Sequence, residues 1–316
     1  MKDSPPAVAQ HPGRVLEAAG GVYDIRLDTG EVVQASLRGR LKLESRTGDK
    51  VVAGDEVRVA RDDIGGATIE AVSPRRSEIA RRAPGRSRGA KVIVANPDRL
   101  VAVFALSRPA PSPRLLDRFL VTAEVNRLPS VIVANKSDLP EAADAVSLFE
   151  PYPAAGYTVI RTSVKAGQGL DELRALLCDG TSVVAGPSGV GKSSLLNAIE
   201  PGLSLRIGEV SEVVGKGRHT TVTSRLIPLG CGGYVADTPG IRELGLWQVD
   251  QAMLADAFPE FREPAESCRF APSCSHSHEP GCGVLDGVSE GSIAASRHES
   301  YLALLEEIRE ADRKRW

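Results

Sequence analysis

A glycine-rich segment at residues 186–193 has the spacing G-x-x-x-x-G-K-[ST], which is typical of a loop that binds nucleoside phosphates. A β-type run precedes the segment and a helical run follows it, as such a loop requires. Glycines let backbone N–H groups turn toward the phosphates, the Lys192 ammonium reaches the β and γ oxygens, and the Ser193 hydroxyl joins a Mg²⁺ shell. The residues predicted to bind nucleotide here are Gly186, Pro187, Ser188, Gly189, Val190, Gly191, Lys192, Ser193 and Ser194.

A second group is needed to hold the Mg²⁺ ion that accompanies the phosphates. The run Tyr234–Asp237 is a predicted strand that ends in a carboxylate, and Asp237 opens the pattern D-x-x-G, which closes at Gly240. Carboxylate oxygen is a ligand that Mg²⁺ prefers. Asp237 is therefore the predicted magnesium partner of Ser193, and both Asp237 and Gly240 are predicted in the nucleotide site.

A third motif predicts which base is bound. An apolar run, predicted to be a strand over Ser130–Asn135, leads into Asn135, Lys136 and Asp138, which form the pattern N-K-x-D. The Asp138 carboxylate can accept hydrogen bonds from N1–H and the exocyclic amine of guanine, which adenine does not offer, so the motif favours GTP over ATP. Taken alone, the tetrapeptide also fits the capped start of a helix. Ser163 follows a further predicted strand and resembles the element that backs the guanine ring in GTPases.

A cluster of sulfur and imidazole ligands lies near the C-terminus. Cys268, Cys274, His276 and Cys282 form C-x5-C-x-H-x5-C, the Cys₃His set of a closed tetrahedral zinc site. Three soft thiolates favour Zn²⁺ over Mg²⁺, so one structural Zn²⁺ per chain is predicted. His278 offers a competing nitrogen, which leaves the identity of the histidine ligand open.

The number of cysteines and the overall composition restrict the class of protein. The other two cysteines, Cys178 and Cys231, are expected to be buried or incidental, since free cysteine often behaves as a small hydrophobe. Five cysteines in 316 residues are too few for a disulfide scaffold, and their clustering suggests a reducing compartment. With 42% hydrophobic residues, 25% charged residues and a net charge of −2, disorder is excluded as the main state. Apolar runs fall far short of the about 20 residues that cross a bilayer, so a cytoplasmic protein without membrane contact is predicted.

The first elements along the chain are β-rich. Residues 1–11 are predicted to be a flexible tail, and residues 12–74 a small all-β barrel of the OB or SH3-like class. Short β-rich runs at 21–27, 31–35, 56–60 and 67–72 alternate there with turn signals. Residues 75–96 are predicted to be a basic linker, with seven basic side chains in the seventeen positions from Arg75 to Lys91. Such a run suits contact with phosphate backbones, or it is a solvated linker.

The motifs lie in the next region, where strands and helices alternate. Residues 97–247 are therefore predicted to form an α/β domain with a parallel, doubly wound sheet that carries all the nucleotide motifs. Residues 248–316 lack β signals and hold the Cys₃His set, and Ile293, Tyr301, Leu305 and Ile308 fall on one side of a predicted helix. The chain is expected to be multidomain, ending in a mostly helical zinc-binding domain.

The nucleotide motifs stand in an unusual order. In ordinary GTPases the phosphate loop comes first, whereas here Asn135 and Ser163 precede the loop at Gly186, and Thr221 and Asp237 follow it, which is a circular permutation. A permuted GTPase with a β-barrel before it and a Cys/His cluster behind it resembles the ribosome small subunit-dependent GTPase A family (RsgA, also called YjeQ). The likeness covers essentially the whole chain after residue 12.

The resemblance implies a bacterial GTPase that acts late in maturation of the small (30S) ribosomal subunit, is stimulated by that subunit, and contacts its rRNA through the barrel and the zinc domain. It also assigns catalytic residues: His219 in catalysis, and Thr221 in the metal and γ-phosphate shell beside Lys192. Where many GTPases place a water-orienting glutamine after D-x-x-G, this chain has Ile241, so another group must position the water. A neutral imidazole at His219 can do so near neutral pH.

Two other functions stay open from the sequence. One is a GTPase in another RNA-linked task, such as RNA modification or translation, which would use the same Asn135, Asp138 and Lys192. The other is a nucleotide-insensitive RNA-binding scaffold whose GTPase centre has decayed, against which the intact Lys192, Ser193 and Asp237 argue. GTP and GDP are the expected small-molecule partners, and a monomer is expected.

Overall fold

The structure is a computed structural model that describes residues 9–39, 41, 50–62, 65–82, 90–203, 224–237 and 249–313. Its strands are β1 (Gln10–Ala19), β2 (Val22–Leu27), β3 (Val32–Leu37), β4 (Glu56–Arg61), β5 (Ala67–Val72), β6 (Glu78–Arg82), β7 (Ala90–Ala95), β8 (Arg99–Ala105), β9 (Ser130–Asn135), β10 (Thr158–Thr162), β11 (Thr181–Ala185), β12 (Arg225–Pro228) and β13 (Tyr234–Asp237). Its α-helices are α1 (Pro113–Val125), α2 (Ala142–Ala145), α3 (Pro151–Ala154), α4 (Leu170–Cys178), α5 (Lys192–Ile199), α6 (Gln251–Asp256), α7 (Arg262–Glu266), α8 (Gly283–Glu290) and α9 (Ala295–Arg313).

The described residues divide into two compact units by their internal contacts. The first unit holds those up to Asp98, the segment Leu177–Val183 and residues 224–237. The second holds Arg99–Leu176 and residues 184–203 and 249–313. The predicted domain bounds at 12–74, 97–247 and 248–316 follow the order of the motifs rather than these units, and they stay a prediction.

The N-terminal part of the first unit is a closed five-stranded barrel. Its strands pair in the order β1–β2–β3–β5–β4, and β4 closes the barrel by pairing with β1. Alternate side chains of each strand face inward and form an apolar core that includes Val15, Ile25, Val59 and Ile69. The predicted OB-type barrel is confirmed. The predicted tail is too long by two residues, because β1 already begins at Gln10.

The segment predicted to be a basic linker is structured where it is described. β6 and β7 pair antiparallel as a two-stranded ribbon, and Arg75 precedes them with a largely buried side chain. The Arg75 guanidinium donates to the carboxylate of Asp55, which is fully buried in the loop before β4. Gly54 allows the close approach, because a Cβ there would lie 1.9 Å from the Ala95 carbonyl oxygen. The ribbon base is therefore packed on the barrel.

A second group of strands completes the first unit. β11 pairs parallel with β13, β12 pairs antiparallel with β13, and β12 meets β1 at the pair Glu17↔Arg225. The strand-like runs at 182–185 and 234–237 predict most of β11 and all of β13, whereas no predicted run corresponds to β12. Because β12 runs antiparallel, this part of the predicted parallel sheet is mixed.

A disulfide joins Cys178, the last residue of α4, to Cys231 in the turn between β12 and β13, with 5.4 Å between the Cα atoms. The prediction that both cysteines are buried or incidental is wrong, since they are bonded and Cys231 is exposed. The reason is tertiary: β11 and β13 pair from Thr181↔Tyr234 onward, so the residues before the two strands are neighbours.

Three parallel strands in the second unit bring the guanine motif to one sheet edge. They lie in the order β10–β9–β8, with Asn135 opposite Ala105 on one side and Thr162 on the other. Side chains of β9 from Ile132 onward are buried, which explains its unbroken apolar sequence. All three strands therefore end level with Asn135, and the residues that follow them share one edge.

The C-terminal part of the second unit is mostly helical, as predicted. Its core packs Phe258 and Phe261 against Tyr301 and Leu304 of α9. Arg297 of the same helix is 2% exposed and is ion-paired with Asp117 of α1 and Glu260. Among the residues that the structure describes, no helix is long and apolar enough to span a membrane.

Candidate nucleotide site and metal centre

The predicted phosphate loop connects β11 to α5. Its glycines have positive φ angles, which residues with a side chain rarely adopt. Gly186 has φ +145° and a Cβ there would lie 2.0 Å from the Val103 carbonyl oxygen, so a side chain is excluded. Gly191 has φ +98° and precedes α5, whose first residue is Lys192. The Lys192 ammonium folds back and donates to the carbonyl oxygens of Gly186 (2.9 Å) and Pro187 (2.7 Å). The loop therefore wraps around its own lysine, which is the group expected to meet phosphate.

Asn135 connects this loop to the guanine motif. Its side chain is 2% exposed, and its Nδ2 donates to the carbonyl oxygen of Val190 at 2.8 Å. Its Oδ1 accepts a hydrogen bond of 3.0 Å from the Thr162 hydroxyl at the end of β10. One buried amide thus ties together the ends of β9, β10 and the phosphate loop.

Lys136 lies along the same loop in a left-handed backbone conformation with φ +62°. Its ammonium donates to the carbonyl oxygen of Gly189 at 2.7 Å and to that of Arg108. Partial burial lowers the pKa of this lysine, while the charge of Asp138 opposes that shift. The aliphatic stem of Lys136 is therefore held beside the place where the loop and the guanine motif meet.

Asp138 is exposed, and a buried hydroxyl group orients its carboxylate. The buried Ser163 hydroxyl donates to Asp138 Oδ1 at 2.6 Å and accepts from the backbone N–H of Ala166 at 3.0 Å. This donation is the main cause that holds the pKa of the Asp138 carboxyl below its usual range. The hydrogen bond from Ser163 therefore favours the charged form of the carboxylate and fixes its orientation, and the nearby cations Lys165 and Lys136 favour the charged form as well.

Several supporting residues escaped the sequence analysis. Thr162 bonds Asn135, the Ser137 hydroxyl bonds both the Thr162 carbonyl and Gln168 Oε1, and the Arg108 carbonyl receives Lys136. Ser163 and Gln168 also exchange backbone hydrogen bonds, which closes the loop between them. Thr162, Ser137 and Gln168 lie within or close to the segments that hold Asn135, Asp138 and Ser163, whereas Arg108 lies far from them in the chain, and no sequence pattern indicates any of these hydrogen bonds.

The remaining predicted nucleotide residues stand as follows. Ser193 is buried in the first turn of α5, in the second unit, and Asp237 ends β13, in the first unit. The predictions on His219, Thr221 and Gly240 lie outside the described residues.

The predicted metal ligands meet in one cluster in the helical region. Cys268, Cys274, His276 and Cys282 are all buried, and their four ligand atoms lie within 4.8 Å of one another. His276 Nδ1 is 3.5 Å from the Cys268 sulfur and 3.4 Å from the Cys282 sulfur. His278 is exposed and bonds the Ser277 hydroxyl, so the structure selects His276 for the cluster. The cluster could hold one metal ion.

The surroundings of the cluster fix its geometry. His276 has φ +51°, and its carbonyl oxygen lies 2.7 Å from Nε2 of His298 on α9. The Tyr301 hydroxyl donates to the carbonyl oxygen of Ser275 at 2.9 Å. Burial raises the pKa of Cys274 to about 12 and lowers that of His276, so thiolates here require a bound cation to compensate them. Soft, anionic sulfur ligands in a dry pocket fit a metal such as Zn²⁺.

Guanine-binding and phosphate-binding motifs that meet at one sheet edge, with the phosphate loop second in the chain, define a circularly permuted GTPase. A family model described as RsgA GTPase matches residues 72–247. The chain is 48% identical to "Small ribosomal subunit biogenesis GTPase RsgA" of Gemmatimonas aurantiaca over 94% of this chain and 97% of that protein, and 44% identical to that of Moorella thermoacetica over 94% and 97%. This chain belongs to the RsgA GTPase family.

Solved structures agree with this assignment. YjeQ from Thermotoga maritima matches with a TM-score of 0.78 and 34% identity over 95% of this chain and 99% of that one. YloQ, described as a circularly permuted GTPase, matches with a TM-score of 0.75 and 29% identity over 98% of each chain. The resemblance that the sequence analysis drew from motif order is confirmed.

Proposed function

We propose that this protein hydrolyses GTP to GDP and phosphate in late maturation of the small ribosomal subunit, and that this subunit stimulates the reaction. The observation that carries the GTP assignment is the Asn135 amide, which bonds both the phosphate loop at Val190 and the guanine side at Thr162. The names of the relatives, which are small ribosomal subunit biogenesis GTPases, support the biological setting.

In this proposal each predicted nucleotide-binding residue has one role. Asp138, oriented by Ser163, accepts hydrogen bonds from the guanine edge, and Lys136 covers the base with its stem. Lys192 exchanges its backbone partners for the β and γ oxygens of GTP. The Ser193 hydroxyl, Asp237 and Thr221 would hold Mg²⁺, which when bound neutralises phosphate charge.

Hydrolysis requires a water oxygen to bond the γ-phosphorus while the bond from that phosphorus to the β–γ bridging oxygen breaks. We assign His219 to orient this water and receive its proton, on the family resemblance and because Ile241 at the usual glutamine position has no polar group. A neutral imidazole is suited to this near neutral pH.

Zn²⁺ at Cys268, Cys274, His276 and Cys282 is proposed as a structural ion, because the four protein ligands fill a tetrahedral site. The ion would tie the loop from 268 to 282 to α8, which begins directly after Cys282, and to the core that Tyr301 of α9 shares with Phe258 and Phe261.

The ribosomal partner would be reached through rRNA phosphates, by the basic side chains between Arg76 and Lys91 and by the barrel. Arg75 is not proposed for this contact, because Asp55 and Glu78 already hold it. The proposal places the protein in the cytoplasm, where ribosomal subunits mature, and a monomer remains expected.

The test measures GTP turnover with Mg²⁺, alone and with purified small subunits, large subunits or free rRNA. Turnover should rise at least about tenfold with small subunits only, since a partner that orders a catalytic loop acts as an activating protein does. Equal rates with all three partners would favour another RNA-linked GTPase. Absence of turnover with every partner would favour a nucleotide-insensitive scaffold.

Base recognition is tested by Asp138→Asn in a competition between GTP and xanthosine triphosphate. The variant should prefer xanthosine triphosphate, because the amide inverts the hydrogen-bond pattern at the base edge. Asp144→Asn, a change at an exposed carboxylate in α2, is the matched control and should keep the preference for GTP. An unchanged preference in Asp138→Asn would remove this residue from the site.

A further inference from the structure

The Cys178–Cys231 disulfide links the segment that precedes the phosphate loop in the chain to the segment that precedes Asp237. Cys178 ends α4, only Asp179 and Gly180 separate it from β11, and β11 runs on into the phosphate loop. Cys231 lies in the turn before β13, whose last residue is Asp237. We infer that Cys178 and Cys231 form a redox-sensitive clasp, which a dithiol opens and a disulfide oxidant closes, and which limits local opening of β11 and β13.

The two cysteine residues differ in exposure. Cys231 is exposed and Cys178 is half-buried, whereas Cys268, Cys274 and Cys282 are buried in the Cys₃His cluster. Exposed disulfides are the ones that exchange readily with other thiols, and a dithiol can approach the Cys231 side. The clasp is therefore chemically separable from the metal centre of the same chain.

Reduction leaves the two cysteines as neighbours. The Tyr234 N–H donates to the Gly180 carbonyl oxygen at 2.8 Å, and β11 pairs with β13 in register from Thr181↔Tyr234. A Cβ on Gly233 would lie 2.0 Å from the Leu177 carbonyl oxygen, so the two backbones are in direct contact here. Because these interactions do not involve sulfur, the thiol form keeps the same fold and the bond can form again.

The bond changes how far the strands can open. It joins residues 53 apart, and the closed loop contains β11, the whole phosphate loop and α5. Cross-linking a loop of this length removes many open conformations of the chain between the two ends. We therefore expect local opening of β11 and β13 to be rarer in the disulfide form than in the thiol form.

The exchange proceeds in two balanced steps. A thiolate of the dithiol attacks the Cys231 sulfur, the S–S bond breaks, and Cys178 leaves as a thiolate that takes up a proton. The second thiolate of the dithiol then attacks its own mixed disulfide, which releases Cys231 as a thiol and leaves the dithiol oxidised to a cyclic disulfide. A disulfide oxidant such as glutathione disulfide reverses the process and is itself reduced to two thiols.

The experiment compares hydrogen exchange of the full chain loaded with Zn²⁺ after treatment with glutathione disulfide or with dithiothreitol. A zinc-sensitive dye reports whether the metal centre stays loaded. Backbone N–H groups of β11 and β13 should exchange at least about tenfold faster in the reduced form, while those of β2 and β3 in the barrel stay the same. Returning the sample to glutathione disulfide should restore slow exchange.

The double variant Cys178→Ser/Cys231→Ser is the matched control, and it should exchange fast at β11 and β13 under both conditions. Single variants are unsuitable because each leaves one thiol free to form mixed disulfides. Mass-tagging of thiols after denaturation should count two fewer in the oxidised sample than in the reduced one. Equal thiol counts, or equal exchange at β11 and β13 in both forms, would overturn the inference.

Discussion

In the nucleotide loops the polar groups expected to meet ligand are already bonded within the protein, whereas in the Cys₃His cluster four buried ligand atoms lie within 4.8 Å of one another. Lys192 donates to two carbonyl oxygens of its own loop, and Asn135 bonds Val190 and Thr162. The sulfur atoms of Cys268 and Cys282 lie 3.7 Å apart in a buried pocket. A carbonyl can satisfy an ammonium in the absence of GTP, but a thiol is a poor partner for another thiol.

This difference predicts how each site behaves without its ligand. In the described nucleotide loops, side chains donate to backbone carbonyl oxygens, so we expect these loops to hold their shape as GTP binds and leaves. The Cys₃His cluster needs a cation to offset buried thiolates, so ion binding and folding of the helical region are one process. We therefore expect the fold to depend more on the proposed Zn²⁺ than on the exchangeable nucleotide.

The largest expected effect is loss of a metal ligand. Cys282→Ser should cost the helical region more than about 4 kcal/mol of unfolding free energy, because removing a structural metal site is among the most destabilising single changes. The measurement is zinc content by elemental analysis together with hydrogen exchange of residues 251–313. His278→Gln, at the exposed histidine, should keep one Zn²⁺ per chain. A Cys282→Ser protein that stays fully protected without zinc would break the comparison.

A third buried polar group, the ion pairs of Arg297, differs from both sites because its charges come from the protein alone. Arg297 pairs with Asp117 and Glu260, and its guanidinium lies 4.5 Å from the centroid of the Phe258 ring. Arg297→Met should cost about 3–5 kcal/mol, since it leaves buried carboxylates without their cation. Urea unfolding measures the cost.

Arg309→Met is the control for this change, because it makes the same substitution at an exposed position of the same helix. It should cost less than about 0.5 kcal/mol. If the two variants unfold at the same urea concentration, the ion pairs of Arg297 contribute nothing beyond a surface contact.

A smaller effect is expected at the centre of the nucleotide loops. Asn135→Ala removes partners from the Val190 carbonyl and the Thr162 hydroxyl, which should cost about 1–3 kcal/mol in stability and weaken GTP binding as well. Asn126→Ala is the control, since that amide bonds the Thr122 carbonyl within its own helix. Calorimetric titration with GTP and urea unfolding are measured on both variants. Unchanged GTP affinity in Asn135→Ala would show that the loops hold each other without it.

The smallest effect concerns protonation of Asp138. Donation from Ser163 depresses the pKa of this carboxyl, so its stabilising interaction is present above the usual pKa of aspartate and is lost as the pH falls through the depressed value. Ser163→Ala should raise the pKa of Asp138 toward the usual range. An NMR titration of the side-chain carboxyl carbon measures the shift, with exposed Asp144 as an internal reference. An unmoved Asp138 titration would mean that the nearby lysines hold the carboxylate charged.

Elements that depend on residues close together in the chain are predicted well from the sequence, and elements that depend on pairing between distant segments are predicted poorly. β9 was predicted with both ends correct, because an unbroken apolar run between turn residues is a local pattern. β1 was missed because Pro12 and Gly13 interrupt its alternation, although pairing on both sides makes the barrel depend on it. The sequence predicts a linker where the β6–β7 ribbon forms, because the run of basic residues from Arg75 to Lys91 dominates the pattern over buried positions such as Ile79 and Val94.

The amino-acid sequence by itself determined which chemical groups this protein has and in what order: a phosphate loop at 186–193, a guanine motif at 135–138 and a Cys₃His set. These patterns span few residues, and their spacing alone restricts the chemistry they can perform. Only the tertiary structure decided which groups meet. In the structure Asn135 is hydrogen-bonded to Val190, His276 rather than His278 lies in the cluster, and Cys178 is bonded to Cys231. Such pairings depend on strand register and close packing between segments far apart in the chain, which spacing along a sequence does not encode.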